Sequence, residues 1–277
     1  MSATMTQSSR ARPVFAILAA LVEERAGLHY APPDQEIFLD KVQARATDAG
    51  FESLLDYYYY LRYDPAGEGE LARLIETLVV NETFFFRELE PLKVLVEHLV
   101  KPKARAGRKV RVWSAACATG EEPLTLAMLL ADAGLLENVQ LIASDISEKA
   151  LDRARAGRFG RRALRELPDP ALSARWLREE DGRLWVDPVV RAAVDFRRIN
   201  LLDPAAVQSV GPCDAILCRN VLIYFSDATA AQVVQTLAQQ LAPGGALFVG
   251  VSESLLRFGT LLACEEVQQT FLYRKAE

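Results

Sequence analysis

The chain has 277 residues, with 32 basic and 37 acidic side chains and a net charge of −5. Hydrophobic residues make up 51% and charged residues 25%, with mean hydropathy +0.06 and a pI near 5.3, the balance of a globular domain or two. An acidic chain of this kind is a poor candidate for nucleic acid, and no apolar run approaches the roughly 18–20 residues that span a bilayer.

The N-terminal MSATMTQSSRARP is basic but lacks an apolar run ending at a small-residue cleavage site, so a cytoplasmic location is expected. Through about residue 100 the pattern is helical. Val14, Ile17, Leu18 and Leu21 recur at helical spacing, as do Phe38 and Val42, then Leu54, Leu55 and Leu61. Asp34 and Ser53 are expected N-caps, and Gly27 and Gly50 expected helix stops. The Tyr57–Tyr60 run points all round a helix, so some rings should pack in the core and others at a domain interface. The segment LVVNETFFFRELEPL has two readings. Its phenylalanines are a helix end packed into the core, or Asn81, Thr83 and Arg87 bracket a hydrophobic wall over a ligand. A helical domain over 1–90 is expected, with KPKARAGRK (101–109) as a solvated connection to a second domain over 91–277.

Beyond it the period changes. KVRVWSAA, VQLIASD, CDAILCR and ALFVGVS are short apolar runs, and helical stretches such as Pro123–Ala133 and Asp227–Leu241 lie between them. Strands alternating with helices predict an α/β domain around a mainly parallel sheet, with FLYRK as a last edge strand. Residues 150–200 hold twelve arginines against eight acids, and DGRLWV signals a turn beside a strand. That stretch is either ordinary surface or a patch for an acidic protein partner. The four cysteines (Cys117, Cys213, Cys218, Cys264) form no CxxC pair and only two histidines exist, so no metal site is expected and the thiols read as small core residues.

The densest chemistry lies in VRVWSAACATGEEPLTLAMLL. A strand (110–114) enters a small-residue loop ending at Gly120, and a helix starts with Pro123 in its first turn and Leu126, Leu129, Leu130 and Ala133 as its packing stripe. A dinucleotide would need GxGxxG here, and its phosphates would meet Glu121 and Glu122 instead. A phosphate-free cation such as S-adenosylmethionine suits the acids better, although acids at a helix start also simply oppose its dipole. Asp145 ends the next strand, 25 positions past Gly120, where a carboxylate holds a ribose diol or caps the following helix. Asn200, Arg219 and Asn220 end later strands, and Tyr224 follows in an apolar turn.

Taken in order, NETFFFRE, VWSAACATGEEPLTLAMLL, ASDIS, INLLD, CRNVLIYF and PGGALFVGVSESL resemble the successive motifs of the CheR chemotaxis methyltransferases. The resemblance implies a Rossmann-like S-adenosylmethionine-dependent domain, a small all-helical N-terminal domain and an inserted β-subdomain over about 160–192. It implies methyl transfer to glutamate carboxylates in the cytoplasmic helical domain of chemoreceptors, with S-adenosylhomocysteine as product. Asn81, Thr83, Arg87, Ala115, Glu121, Asp145, Asn200, Leu201, Arg219 and Asn220 would bind the cofactor, with Glu121 at its methionine end, Asp145 at the ribose and Asn200 and Leu201 along the adenine. Arg87 and Tyr224 would stand near the transferred methyl, and a basic helix around Lys41 and Arg45 would face the receptor. The Asp181–Gly182 turn is briefer than the glycine-rich loop of members that dock on a receptor's peptide tether, so the resemblance leaves tether binding open.

A glutamate acceptor with an ordinary pKa near 4.3 is ionised at pH 7, so the reaction needs no dedicated general base. Charges cancel in the transition state, so alignment and exclusion of water should do most of the work, with Arg87 positioning cofactor or substrate. Two alternatives stand beside this reading: a methyltransferase with another acceptor, and a module that binds S-adenosylmethionine or its product and signals without turnover.

Overall fold

The computed structural model describes residues 3–166 and 169–277, and side chains from residue 13 onward. It divides into two compact units, Met1–Val80 with Tyr224–Ser226, and Asn81–Ile223 with Asp227–Glu277. The first unit holds helices Ala3–Ala26, Gln35–Asp48, Leu54–Tyr63 and Gly67–Leu78. Ser53 caps its helix by accepting the Asp56 N–H, whereas Asp34 accepts from Ala31 N–H and so closes the short turn before its helix. Gly27 and Gly50 follow the helix ends as expected. Leu18, Phe38, Val42, Tyr57, Leu74 and Leu78 form the core, and Tyr59 is exposed.

At its centre lies a buried charge. Glu70 accepts from Arg45 Nε and Nη2 at 2.6 and 2.8 Å and from the Tyr57 hydroxyl at 2.9 Å. Burial alone would raise its carboxyl, but Arg45, Tyr57 and Arg73 outweigh it and hold the group below its ordinary value. Arg45 is therefore spent inside the unit. Its helix carries Glu36, Asp40 and Asp48 against Lys41 and Arg45, so the expected basic surface is absent there. The three-residue segment Tyr224–Ser226 belongs to this unit through a Leu28–Phe225 bridge and the His29 N–H donating to the Tyr224 carbonyl at 2.8 Å.

The second unit contains β1 (Val110–Ala115), β2 (Val139–Asp145), β3 (Arg158–Gly160), β4 (Leu177–Glu180), β5 (Arg183–Val186), β6 (Val194–Arg198), β7 (Cys213–Cys218), β8 (Leu241–Phe248), β9 (Ala263–Val267) and β10 (Thr270–Arg274). Seven of them form one sheet in the order β6-β2-β1-β7-β8-β10-β9. The first five in that order are mutually parallel, and β10 is antiparallel to both neighbours. FLYRK is thus an inner strand, and the edge belongs to ACEEV. Gln268 and Gln269 both have positive φ, so a two-residue turn folds the edge strand back and delivers β10 beside β8. Val112, Leu141, Ala143, Ala215, Leu217, Ala246 and Phe248 build the core with Leu124, Ala127, Met128 and Leu130 of helix Glu121–Asp132. Ala133, expected on that stripe, is exposed because the helix ends before it.

Residues 101–109 are solvated, with none of them buried, but they lie inside the second unit and do not connect the two. Lys101–Arg105 is helical, and Lys103 pairs with Asp214, whose other oxygen accepts the Arg111 N–H of β1. The insert forms a separate sheet, β3-β5-β4, whose Asp181 and Gly182 both take positive φ in a two-residue hairpin turn. Phe159, Leu177, Leu184 and Val186 join the main core; Leu167 and Pro168, within the expected insert, lie outside the described residues. Cys117, Cys213 and Cys218 are core residues, but Cys264 is exposed, because β9 has no sheet neighbour beyond it. No helix among the described residues is long and apolar enough to cross a membrane.

Candidate active site

The parallel register brings four strand ends to one edge. Ala115 of β1 pairs with Ser144 of β2 and Cys218 of β7, and the Ile199 N–H after β6 donates to the Asp145 carbonyl at 3.0 Å. Ala115, Asp145, Asn200, Leu201, Arg219 and Asn220 therefore emerge along the carboxyl edge, where open α/β sheets take ligands.

The loop from Ala115 to Gly120 is held in an unusual conformation. Ala116 and Ala118 have φ of 59° and 49° and Gly120 has 91°. Cys117 N–H donates to the Ser144 carbonyl at 2.8 Å, and Ala118 N–H to the Asp145 carboxylate at 2.8 Å. A Cβ on Gly120 would lie 2.5 Å from the Ala154 Cβ, so glycine lets the start of helix Glu121–Asp132 approach the last turn of helix Glu148–Ala156. Asp145 also accepts the Ser147 N–H, while Ser147 itself caps the next helix by accepting from Ala150. The capping role thus falls to the neighbour, and the Asp145 carboxylate organises the glycine loop. Asn200 makes a similar local turn, its amide oxygen accepting the Leu202 N–H.

The two acids after Gly120 differ sharply. Glu122 accepts from the Ser114 hydroxyl at 2.7 Å and from Arg219 Nη1 at 2.8 Å. Glu121 is 4% exposed and accepts from the Thr119 hydroxyl at 2.6 Å. Burial pushes its carboxyl up to about 7 against the hydrogen bond from Thr119 and the charges of Arg153 and Arg165, neither of which forms an ion pair with it. A buried acid at a helix start, with no ion-pair partner, favours a cationic ligand and opposes a phosphate.

The segment 81–88 contributes a wall and a clasp. Phe85 and Phe86 are buried, with Phe86 N–H donating to the Thr125 hydroxyl at 3.2 Å; Asn81, Thr83 and Arg87 are half-buried. The segment is irregular rather than a helix end, and Phe86 (66°) and Glu88 (47°) both have positive φ. Arg87 donates to the Glu82 carbonyl at 3.1 Å, its guanidinium 5.7 Å from the Phe84 ring centroid. Two residues not singled out from the sequence complete the edge. Glu88 accepts from Arg219 Nη2 at 2.8 Å, Asn220 Nδ2 at 3.2 Å and Val251 N–H at 3.2 Å. Glu253 accepts the backbone N–H groups of Asn220, Leu222 and Gly250. A Cβ at Gly250 would sit 2.5 Å from Asn220 Nδ2 and 2.9 Å from Glu253 Oε2, so a larger residue there would displace these side chains. The only sequence signal for either acid was its place inside a quoted motif. Tyr224 groups with the helical unit, at the end of the turn Leu222–Tyr224. No cluster of three or more His, Cys, Asp or Glu suited to a metal occurs among the described residues.

The residues present therefore fit a phosphate-free cationic nucleoside such as S-adenosylmethionine, with Glu121 as the uncompensated acid. The family model described as the CheR methyltransferase SAM-binding domain matches residues 81–271. Chemotaxis protein methyltransferase 2 of Vibrio cholerae is 38% identical over 244 residues, covering 86% of this chain and 84% of the relative. Chemotaxis protein methyltransferase 1 of Pseudomonas aeruginosa is 32% identical over 256 residues, covering 89% and 92%. The probable biofilm formation methyltransferase WspC of the same organism is 35% identical over 239 residues, covering 85% of this chain and 56% of WspC. Since the match opens on the strained segment beside Glu88 and runs on into the last strand, the chain belongs to the CheR family of S-adenosylmethionine-dependent methyltransferases.

Proposed function

We propose that the chain methylates glutamate side chains in the cytoplasmic helical domain of a chemoreceptor, giving glutamyl methyl esters and S-adenosylhomocysteine. The carrying observation is Glu121, a buried carboxyl at the sheet's binding edge with no cation of its own. The names of the full-length relatives support the acceptor.

When bound, S-adenosylmethionine supplies an electrophilic sulfonium methyl. Glu121 would hold its ammonium end, Asp145 its ribose, and Asn200 and Leu201 its adenine. Ala115 and Asn220 would line the crevice, with Asn81 and Thr83 on the phenylalanine-walled side. The acceptor carboxylate is already ionised at pH 7, so the chain has no proton to remove from it. Its residues instead exclude water and align the acceptor, with Arg87 and Tyr224 in the orienting roles. A tight ion pair from Arg87 to the acceptor would favour the charged ground state over the transition state, so a positioning role is the consistent one.

Incubation with methyl-labelled S-adenosylmethionine and purified chemoreceptor cytoplasmic fragments tests this. Label released as methanol by mild base marks a carboxyl ester. Base-stable label would assign another acceptor atom, and cofactor binding without transfer would make the chain a sensor. The likeness to WspC favours one further arm, receptors of a biofilm-associated signalling array.

A further inference from the structure

The buried guanidinium of Arg219 has been described only as one corner of the edge, yet its partners assign it a specific task. Its side chain is 2% exposed and lies between two carboxylates, Glu88 and Glu122, each at 2.8 Å. The Nη2 group that meets Glu88 also donates to the backbone carbonyls of Arg87 at 3.2 Å and Glu88 at 3.1 Å. Those carbonyls flank the left-handed turn at Phe86 and Glu88, a conformation that strains a non-glycine residue and persists only where surrounding structure imposes it. Glu88 in turn reaches Asn220 and the N–H of Val251, so one carboxylate ties the strained segment to the ends of β7 and β8. Asn220 is itself at positive φ, fixed through its N–H by Glu253. Glu122 completes the chain of contacts back to β1 through Ser114.

We propose that Glu88 and Arg219 are a positioning pair: they touch no cofactor atom, and they hold the backbone that aims Arg87. This rests on the reading of Arg87 as an orienting residue. Arg219 Nη2 already donates to three acceptors and Nη1 to Glu122, the Nε N–H is buried without a partner, and the side chain is 2% exposed, so its hydrogen bonds are directed into the protein. The fork geometry matters as well as the charge. Lysine would present one ammonium where Arg219 spans Glu122 on one side and Glu88 with two carbonyls on the other.

The test uses the full chain with Glu88→Gln, Arg219→Lys and the double variant. Amide hydrogen exchange is followed in the cofactor-free protein, and methyl transfer at saturating S-adenosylmethionine. A positioning pair acting as one unit predicts exchange over residues 81–90 faster by about tenfold in each single variant, and no faster in the double, as coupled neighbours behave. Transfer at saturating cofactor falls by a similar factor in each single variant and no further in the double. Exchange in the four-helix unit stays unchanged. Unaltered exchange over 81–90, or single effects that multiply in the double, would overturn the proposal. So would weakened S-adenosylhomocysteine binding by Arg219→Lys with cofactor-free exchange at the wild-type level, since that marks a direct ligand. Should Arg219→Lys fail to fold, Glu88→Gln decides alone by the same exchange criterion. A wild-type chain that binds S-adenosylhomocysteine but methylates no receptor fragment counts against the acceptor proposed above, and the exchange data still decide the pair.

Discussion

The role proposed for Glu121 makes cofactor binding a proton-linked event. Its carboxyl rises from an ordinary 4.5 to about 7 because burial penalises the ionised form. At about 1.4 kcal/mol for each tenfold, ionising it in the cofactor-free protein costs about 3 kcal/mol. The sign follows from linkage: a folded pKa above the unfolded one favours folding most below pH 4.5, and that advantage is lost as pH rises to about 7. A cationic ligand favours the ionised form, so affinity should climb with pH, by up to about tenfold per pH unit below 7, and level off above it. Calorimetry with S-adenosylhomocysteine between about pH 5.5 and 8, in buffers of differing ionisation enthalpy, measures both the slope and the released proton. Glu121→Gln should flatten the slope, weaken binding at pH 8 and raise the thermal stability of the cofactor-free chain there. Affinity that is flat across this window without proton release, or a slope that survives Glu121→Gln, would refute the assignment of a cation to this carboxyl.

Three other perturbations bear on the same architecture. Arg87→Ala and Tyr224→Phe should each slow methyl transfer by at least about tenfold, the scale lost when reacting groups are misaligned; near-normal rates in both would remove them from the mechanism. Gly120→Ala forces a Cβ to 2.5 Å from Ala154 in a left-handed backbone and should cost about 1–3 kcal/mol in denaturant unfolding, part of it recovered by Ala154→Gly. Glu70→Gln should destabilise the helical unit by about 1–3 kcal/mol, because it weakens the charged hydrogen bonds that Arg45 and Tyr57 make to a buried carboxylate. The depressed Glu70 carboxyl also means that this stabilisation is present above the ordinary carboxylate range and is lost on acidification through the folded value, which a melting series below pH 4.5 checks.

Local patterns in the chain were sufficient for much of this. Alternation of apolar runs with helical stretches announced the parallel sheet, Asp181–Gly182 its hairpin, and Ser53 its cap, because each depends on neighbours within a few residues. The acid pair after Gly120 pointed away from phosphate for the same reason: a helix start is a local electrostatic feature. What the sequence could not rank was which acid is spent and which is available. Glu122 is neutralised by Arg219, 97 positions away, and Glu88 meets Arg219 across 131, so only the register of β1 against β7 determines those pairings. The same long-range choice tied KPKARAGRK to the second unit through Lys103 and Asp214, and moved FLYRK inside the sheet. Periodicity reports which face of an element is buried. The partner of a buried charge, and hence whether a carboxylate serves the fold or a ligand, is decided by elements that meet only once the chain has folded.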